Sequence, residues 1–528
     1  MKLRTIVKIA ITSSVVLLCS GFALYSFFRL SAAEGQKDFN LYELVPSTTS
    51  AVFVTDDVLE FVAEVDELTC SKNQQYLYVS KLFSYLKQSL YALSEDTPHG
   101  LSRQMNQMLI SFHEPDNERN QVLYCRLGNG DKELVNRFVR KYISSLYPPK
   151  TFIYKGEEII IYPMADGDFL ACYLTSDFMA LSFQKKLIEN VIDAYKSGKS
   201  LADDSTFTGI RAPKKSAAAA TIYTRMQGMM GWTEFDMKMK DDFIYFSGIT
   251  HDADTCFAFI NQLRQQQSVK GFPGEVLPST AFYFSRQGIT DWVFLLSYGN
   301  AQGQSVPART SEVQNRDKEF SRYLMENAGQ DLVACLFQRE DTLQGAAAVL
   351  SLSVADVTEA ERMLRALVNA ASADEGRRNP RITFCYTVNK AYLVYRLPQT
   401  TLFEQLTSFA EPTLDVYAAF YGGRLLLAPD ADALAHYIRQ LDKGEVLNGA
   451  MAYQTGMDHL SDSYHFMLMA DFDHIFQQSE NHVRFVPDFF LRNADFFRHF
   501  TLFVQFACAD GMVYPNICLL YTSPSPRD

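Results

Sequence analysis

The chain carries the run FLACYLTSDFMALSFQKKLIENVIDAYKSG at residues 169–198, and the same plan returns 246 positions later as DVYAAFYGGRLLLAPDADALAHYIRQLDKG at residues 415–444. Each run starts with two short apolar segments around small turn residues, which is typical of a β-hairpin. Each continues with apolar residues at helical spacing and ends at a glycine, a residue that often closes helices in the left-handed conformation. The sequence therefore predicts a duplicated unit of hairpin, helix and following strand over Phe169–Met226 and Asp415–Phe472.

Two further pairs of segments extend the repeat upstream. Leu44-Val-Pro-Ser-Thr48 resembles Val276-Leu-Pro-Ser-Thr280, and Thr151-Phe-Ile-Tyr154 resembles Thr383-Phe-Cys-Tyr386, both at a spacing of 232 positions. The growth of the spacing from 232 to 246 indicates about 14 extra residues in the second copy, near Leu397–Pro412. Periods of this size are typical of duplicated domains rather than of short stacked repeats.

The resulting fold prediction is an α+β protein with an N-terminal transmembrane helix followed by two tandem, similar lobes of mainly antiparallel sheet with packed helices. The strands come mostly in adjacent pairs, which favours antiparallel pairing. Gly271–Glu275 contains glycine and proline and is interpreted as a hinge between the lobes. The predicted segments are a cytoplasmic N-terminus at 1–8, a transmembrane anchor at 9–28, a linker at 29–40, lobe one at 41–270, lobe two at 276–517 and a foreign tail at 518–528.

The start of the chain predicts a membrane anchor. Ile9–Phe28 is an uncharged and mostly apolar run of 20 residues, which is long enough to cross a bilayer as a helix. Lys2, Arg4 and Lys8 precede it, so the positive-inside rule keeps the N-terminus in the cytoplasm. A cleaved signal peptide with its cut site at Ser31-Ala-Ala33 is the alternative. The expected location is the bacterial inner membrane, with a single pass, a periplasmic body, and the lipid bilayer as a partner through residues 9–28.

The end of the chain predicts a foreign tail. Cys518–Asp528 resembles a reading-frame translation of a widely used transposon-type sequencing adapter, and we interpret it as not belonging to the protein. Asp510–Ile517 resembles Asp241–Ile249, but nothing after it corresponds to the helix predicted at Ala253–Gln266. We therefore expect lobe two to be an incomplete copy of lobe one, and the native protein to continue beyond residue 517.

Composition narrows the classes of partner. The chain has 528 residues with 49 basic and 61 acidic side chains, a formal net charge of −12. An acidic body of this kind argues against nucleic acid as a partner. The nine cysteines form no CxxC pair, and four of them lie in apolar strand-like runs, where we expect small buried thiols. These four are Cys125, Cys172, Cys385 and Cys508.

Two short motifs resemble signatures of penicillin-interacting serine enzymes. They are Ser182-Phe-Gln-Lys185 and Lys196-Ser-Gly198. In those enzymes a lysine activates the serine, and the second motif lies on a distant strand. Here a single helix separates the motifs, and the second copy carries Ala428 in place of Ser182. We therefore predict no catalytic residue and no cofactor, and we interpret the motifs as a strand end and a helix C-cap.

A weak candidate for a metal site lies in lobe two. Six of the nine histidines fall between His436 and His499, and Asp471, Asp473 and His474 lie among them. Aspartate and histidine side chains on an alternating strand are suitable ligands for zinc and related metals. No two of these histidines are four positions apart, the spacing that places two ligands on one helical face. We predict solvated or hydrogen-bonded polar residues here, with a metal site as the alternative.

An aromatic segment, Val483–Thr501, is present in lobe two and absent from lobe one. Aromatic residues at this density are typical of a core or of a contact between lobes, and the alternative is an interaction surface for a partner. The candidate residues for that surface are Phe485, Phe489, Phe490, Phe496, Phe497 and Phe500.

Several of these segments together resemble a known family. The predicted anchor is followed by Leu44–Thr48, and later come Gly231–Phe235, Phe243–Gly248 and Val276–Ala281. As a set they are similar to single-pass bacterial envelope proteins of the domain-of-unknown-function type (DUF3352-like). The resemblance covers most of residues 1–517 and implies a periplasmic, membrane-tethered body. It implies no catalytic residues, because none are established for that family.

The sequence favours a non-enzymatic protein that binds or scaffolds another envelope component, with an unknown envelope protein as its partner. The two copies share no polar constellation, and the aromatic segment is confined to the second copy. The alternative is an envelope enzyme with a site between the lobes, dependent on a metal, that uses Asp471, Asp473 and nearby histidines. That alternative requires these side chains to converge in one pocket.

Overall fold

The fold is described from a computed structural model of the chain. It describes residues 39–72, 105–114, 119–128, 131–138, 147–164, 167–211, 218–225, 231–250, 263–292, 311–339, 346–374, 382–388, 390–407, 413–478 and 486–522. Strands are the most common regular structure among these residues, and the helices pack on the faces of the sheet that the strands form.

Twenty-two strands, β1 to β22 in chain order, are present in the described part of the chain. They are β1 Ala51–Thr55, β2 Met108–Phe112, β3 Gln121–Arg126, β4 Lys150–Tyr154, β5 Glu157–Pro163, β6 Phe169–Leu174, β7 Phe178–Ser182, β8 Ala220–Thr224, β9 Thr233–Lys240, β10 Phe243–Thr250, β11 Val269–Lys270, β12 Ala281–Gly288, β13 Ala328–Gln338, β14 Ala346–Val354, β15 Ile382–Tyr386, β16 Ala391–Arg396, β17 Tyr417–Tyr421, β18 Arg424–Ala428, β19 Ser463–Tyr464, β20 Phe466–Asp471, β21 Phe500–Ala509 and β22 Met512–Tyr521.

The same residues form thirteen α-helices and three 3-10 helices. The α-helices are α1 Val58–Glu67, α2 Thr69–Lys72, α3 Asp131–Phe138, α4 Lys185–Ser197, α5 Ser205–Ile210, α6 Ser311–Asn327, α7 Val357–Asp374, α8 Leu402–Leu406, α9 Ala431–Lys443, α10 Met451–Met457, α11 Phe472–Phe476, α12 Asp488–Arg492 and α13 Ala494–Phe497. The 3-10 helices are Leu41–Leu44, Pro273–Val276 and Leu447–Gly449.

Elements of the two predicted copies recur at the expected spacing. Helices α4 and α9 begin and end 246 positions apart, and so do strands β7 and β18. An isolated bridge joins Pro46 to Ser200, and its counterpart joins Pro278 to Val446. Helix α8 falls within the region where about 14 extra residues are expected in the second copy.

Local sequence explains the ends of the paired helices. Gly198 and Gly444 both adopt the left-handed conformation, with φ of 62° and 77°, which glycine reaches without a side-chain penalty. The Asp430 carboxylate accepts a hydrogen bond from the Ala433 amide at 2.7 Å and caps α9, as its position after Pro429 predicts. The buried residues of each helix, such as Ile192 in α4, lie at helical spacing on the side that faces the sheet.

Twenty of the strands form one sheet, and every pairing in it is antiparallel. Following the pairings, the order is β4-β5-β6-β7-β3-β2-β1-β8-β9-β10-β22-β21-β20-β12-β13-β14-β18-β17-β16-β15. The first ten strands come from residues 51–250, here called the N-terminal half, and the last ten from residues 281–521, the C-terminal half. From the middle of the sheet outwards, corresponding strands follow in the same order in the two halves, from β10 and β22 to β4 and β15.

The two halves join edge to edge in the middle of the sheet. Strands β10 and β22 pair antiparallel from Phe243 opposite Leu520 to Thr250 opposite Val513. These two strands correspond by the duplication, so an approximate two-fold axis relates the halves. The remaining two strands, β11 and β19, form a separate small sheet.

This topology corrects the predicted fold class. We expected an α+β protein with a transmembrane helix and two tandem lobes, each with its own sheet. The structure instead shows a single antiparallel sheet of twenty strands that runs through both halves, with helices on its faces. The two sheets merge because β10 and β22 would otherwise leave unpaired backbone groups at the edge of each half.

The apolar core lies on both faces of this sheet. The largest cluster lies on one face and contains residues from both halves, including the corresponding pair Leu181 and Leu427. On the opposite face, each half has its own cluster, one beneath α4 around Ile188 and one beneath α9 around Leu434. Full burial of one such side chain stabilises the fold by about 1.5–3 kcal/mol. The cluster shared by the two halves therefore couples their stabilities.

The predicted membrane anchor is corrected as well. Among the helices in the described part of the chain, none is both long enough and apolar enough to cross a membrane. The predicted span, residues 9–28, lies outside the described residues, as do the N-terminus at 1–8 and almost all of the linker at 29–40. The predictions of a single-pass topology, an inner-membrane location and a periplasmic body depended on that span, and no helix among the described residues supports them.

Two other predicted segments occupy defined places. The predicted hinge, Gly271–Glu275, follows β11 and overlaps a 3-10 helix, and the Gly271 carbonyl accepts a hydrogen bond from the Arg286 guanidinium at 2.8 Å. At the other end, β22 runs through Tyr521, so the first residues of the predicted foreign tail pair with β10 and β21. Their origin in an adapter stays a prediction.

Candidate functional site

The weak metal candidates have structural roles in the described residues. The Asp471 carboxylate accepts hydrogen bonds from the backbone amides of Asp473 and His474 and thereby caps α11. It also lies 3.0 Å from Nδ1 of His474. Asp473 accepts a hydrogen bond from Gln477 at 3.2 Å instead. Among the described residues, no group of three or more histidine, cysteine, aspartate or glutamate side chains is arranged to hold a metal ion.

The aromatic segment contributes mainly to the core. Phe497 and Phe500 are buried, and Phe490 and Phe496 pack against the same cluster. The Phe490 ring lies 5.0 Å from that of Phe472, measured between ring centres, and 4.8 Å from that of Phe497. These contacts cover the apolar face beside β20 and β21. Phe485 and the side chain of Phe489 lie outside what the structure describes.

The residues of the serine-enzyme motifs have structural partners of their own. Ser182 is fully buried, and its hydroxyl donates to the Gln121 carbonyl at 2.7 Å. Lys185 forms an ion pair with Glu189 at 2.5 Å, and Lys196 one with Glu157 at 2.7 Å. The serine hydroxyl is thus committed to a backbone acceptor, and these lysines to carboxylates on the surface.

A cavity of about 590 Å³ lies beside the turn from β21 to β22. Its lining includes Arg264, His465, Cys508 and Asp510. The Cys508 amide donates to Nδ1 of His465 at 3.2 Å, and burial lowers the pKa of this histidine, so the ring is neutral at pH 7. Burial also raises the pKa of the Cys508 thiol to about 11, against the opposing effect of Arg264. The thiol is protonated at pH 7 and is therefore a weak nucleophile.

The other cysteines follow the prediction of buried thiols. Cys125, Cys172 and Cys385 are buried, and every cysteine in the described part of the chain is free. Burial raises the pKa of Cys125 to about 12 and that of Cys172 to about 12. These thiols contribute packing rather than chemistry.

Among the described residues of the C-terminal half, a cluster of exposed apolar side chains lies at the far end of the sheet. Strand β15 is the last in the order, and among the described residues it pairs with β16 alone. Phe384 and Tyr386 on β15 are 56% and 69% exposed, and Val388 in the following turn is 90% exposed. Neither a charged residue nor a proline lies within β15. We call Ile382–Val388 the open edge.

The opposite end of the sheet carries lysine at its edge. Strand β4 begins with the exposed Lys150 and follows two prolines, whereas Pro380 and Arg381 precede β15 and no charged residue lies within it. The ammonium group of Lys185 lies over the Phe152 ring, 5.2 Å from its centre. Natural sheets use lysine and proline in this way to prevent pairing at an edge. Ile153, 71% exposed, is the main apolar side chain that remains uncovered on β4.

Backbone geometry determines which amides and carbonyls of the open edge point away from β16. The Thr387 amide donates to the Lys390 carbonyl at 2.9 Å, so these two residues form a hydrogen-bonded pair in the hairpin. Hydrogen-bonded and non-hydrogen-bonded pairs alternate along an antiparallel ladder. Thr383 and Cys385 therefore direct their backbone groups towards β16. The amides and carbonyls of Ile382, Phe384 and Tyr386 face outward.

Sequence reasoning did not single out this edge. The similar segments Thr151–Tyr154 and Thr383–Tyr386 both form strands, as predicted. Their positions in the sheet differ by one residue from the alignment that their sequences suggest. Thr151 pairs with Ile160, which pairs with Cys172 on the next strand. In the second copy, Ile382 pairs with Tyr395, which pairs with Ala418. Because Cys172 and Ala418 are corresponding residues 246 positions apart, Thr151 corresponds to Ile382. Phe384 thus corresponds to Ile153 rather than to Phe152. The missed signal was an uncharged aromatic strand in a hairpin.

Comparisons with protein-family models, with curated proteins and with solved structures found no match. The resemblance to DUF3352-like proteins therefore stays a prediction, and function has to be inferred from the geometry of this chain.

Proposed function

We propose that this protein is a non-enzymatic scaffold that binds another protein chain at the open edge. The observation that carries this proposal is the combination of outward-facing backbone groups with exposed aromatic side chains on β15. An edge strand offers a partner strand a row of main-chain hydrogen bonds, and the side chains on one face supply specificity.

The energetics favour covering this edge. Phe384 and Tyr386 each retain more than half of their surface in water. Full burial of a large apolar side chain contributes about 1.5–3 kcal/mol, so covering the remaining surface contributes roughly 1 kcal/mol for each of the two. The main-chain hydrogen bonds add to this and fix the direction of the bound strand.

The alternative of an enzyme between the halves receives less support. It requires Asp471, Asp473 and nearby histidines to converge, whereas Asp471 caps α11 and Asp473 accepts from Gln477. The cavity beside the β21–β22 turn has a neutral histidine and a protonated thiol. Neither group is prepared as a nucleophile or as a strong base.

The test is photo-crosslinking in cells from the open edge. A photoreactive amino acid at Val388 should give a discrete crosslinked product, because this side chain is 90% exposed beside β15. The same residue at Leu59, which is 40% exposed on α1, is the control for random collisions. The captured chain should then bind the purified protein and should lose affinity for Phe384→Lys.

Two outcomes would contradict the scaffold function. One is equal labelling from Val388 and Leu59. The other is a captured chain whose affinity is the same for the wild type and for Phe384→Lys.

A further inference from the structure

We infer that the chain bound at the open edge is a second copy of this protein, paired antiparallel through β15 about a two-fold axis at Phe384. This inference rests on the proposed function, since it names the partner of the same edge. The resulting dimer continues the sheet from one copy into the next.

The backbone of β15 is suited to self-pairing. A two-fold axis at Phe384 places this residue opposite its own copy and Ile382 opposite Tyr386 of the second copy. All three residues direct their amides and carbonyls outward, as the hydrogen bond between Thr387 and Lys390 establishes. Each of these opposed pairs therefore exchanges two hydrogen bonds. The axis is perpendicular to the sheet, so α9 of both copies lies on the same face.

The side chains are complementary in the same register. Ile382, Phe384 and Tyr386 alternate along the strand and share one face of the sheet, the face of the core cluster common to both halves. Self-pairing places phenylalanine opposite phenylalanine and isoleucine opposite tyrosine, which are favourable cross-strand pairs. The strand carries no charge that would oppose its own copy.

The molecule already contains a joint of this kind. Strands β10 and β22 correspond by the duplication, and they pair antiparallel at the edges of two related ten-strand units. Pairing of two β15 strands repeats that relationship between chains. It uses the last strand of the C-terminal unit, whereas the internal joint uses the first.

Pairing of β15 with β4 of another copy is less favourable. The hairpin of β4 closes with Lys155 and Gly156 at φ of 49° and 84° between the paired residues Tyr154 and Glu157. Residues that flank such a two-residue turn are hydrogen-bonded to each other. Phe152 therefore faces β5 with its backbone, whereas the backbone groups of Ile153 face outward. The lysines around β4 disfavour pairing at this edge, and no lysine lies within β15.

The first test is the mass of the purified full chain by sedimentation or light scattering over a range of concentrations. The monomer has a mass of 59.9 kDa, and we expect twice that mass at high concentration. Phe384→Lys places two like charges opposite each other and should weaken the dimer at least about tenfold. Ile153→Lys, the corresponding substitution on β4, should leave the dimer unchanged, and circular dichroism should show that both variants are folded.

A second test reports the register. The Cα atoms of a hydrogen-bonded antiparallel pair lie about 5.5 Å apart, within the range that a disulfide spans. Phe384→Cys should therefore form a covalent dimer under mild oxidation. Tyr386→Cys should not do so alone, but should crosslink when mixed with Ile382→Cys.

Each of three results would overturn this inference or the register that it states. A chain that stays monomeric at about 100 μM, or a dimer with the same affinity in Phe384→Lys, excludes self-pairing through β15. Crosslinking of Tyr386→Cys with itself excludes the register. If the protein is monomeric but Val388 still captures a different chain in cells, the scaffold function stands and only the identity of its partner is wrong.

Discussion

The two halves of the molecule build the same ten strands with different interiors. In the C-terminal half, the Asp331 carboxylate lies 3.1 Å from Arg286 and 3.2 Å from Arg424, and all three side chains are largely buried. The register of the strands places Val54 and Phe178 of the N-terminal half where these arginines stand. One backbone thus accommodates either apolar packing or a hydrogen-bonded ionic network at the same place.

A second difference concerns space rather than charge. In the N-terminal half the Tyr42 and Phe207 rings lie 5.2 Å apart, measured between centres. The corresponding residues of the C-terminal half are Gly274 and Tyr453, and a side chain at Gly274 would meet the Tyr453 ring at 2.7 Å. The larger ring thus takes the volume that the missing side chain leaves. Corresponding positions have changed together, so single substitutions should have different effects in the two halves.

The largest expected effect is at the ionic network. Asp331→Asn leaves two buried arginines without their anion and should lower the free energy of unfolding by about 3–5 kcal/mol, as measured by urea denaturation at pH 7. Burial raises the pKa of the Asp331 carboxyl, but Arg424, a hydrogen bond from Ser353, and Arg286 bring the net pKa below its usual value. The stabilisation is therefore present above the ordinary carboxyl pKa and is lost as pH falls through the lowered value.

The control for this prediction is an exposed ion pair in the same half. Asp415 lies 3.1 Å from Arg396, and both side chains are about half exposed. Asp415→Asn should change the free energy of unfolding by less than about 0.5–1 kcal/mol. Equal costs for the two substitutions would show that the buried network does not distinguish the halves.

The next effect depends on pH and belongs to the N-terminal half. Burial lowers the pKa of His113 to about 4, and the register places Phe337 at the corresponding position. An unfolded histidine binds its proton near pH 6.5, so wild-type stability should fall as pH drops from 6.5 towards 4. His113→Phe should remove this loss, which amounts to at most about 3 kcal/mol. If the free energies of unfolding of the wild type and His113→Phe change in parallel between pH 7 and 4, His113 is not the source of the loss.

A smaller effect is expected at Gly456 on α10. A side chain there would collide with the buried ring of Phe503, whereas the N-terminal half accommodates Ile210 at the corresponding position. Gly456→Ala should lower stability by about 1–3 kcal/mol. Phe503→Leu should cost less in the Gly456→Ala background than in the wild type, and a double-mutant cycle measures this coupling. Additive costs would mean that the two residues do not compete for space.

The smallest effect has the opposite sign. Gly209 lies in α5 of the N-terminal half, and a side chain there would meet nothing within 4 Å. Gly209→Ala should raise the free energy of unfolding by about 0.4–1 kcal/mol, because it reduces the conformational freedom of the unfolded chain. The melting temperature should rise accordingly. A loss of stability would show that the space beside α5 is not open.

The sequence predicted those parts of the fold that depend on local pattern. The bounds of α4 and α9, their closing glycines, and the Asp430 cap follow from periodicity and from the conformational freedom of single residues. The joint between β10 and β22 could not be predicted in this way, because its strands lie more than 260 positions apart in the chain. Many amphipathic strands have equally suitable patterns, and only three-dimensional packing selects among them.

The candidate site shows the same limit. The β15–β16 hairpin is longer than the β4–β5 hairpin between corresponding positions, Ile382 to Tyr395 against Thr151 to Ile160. The added residues displace the sequence match by one position, and a shift of one residue moves every side chain to the other face. Sequence similarity between Phe152 and Phe384 therefore concealed which of them lies on the uncovered face.

The joint between β10 and β22 has a consequence for synthesis on the ribosome. All ten strands of the N-terminal half lie within residues 51–250, so this half has its own strands once that part of the chain has emerged. The partner of Thr250 is Val513, more than 260 positions later. At about 5–20 residues per second, translation leaves the edge of β10 that faces away from β9 unpaired for roughly 15–50 seconds. During that interval each nascent chain exposes an edge strand that can pair with other nascent chains on the same messenger RNA. A chaperone that covers this edge would raise the yield of folded protein.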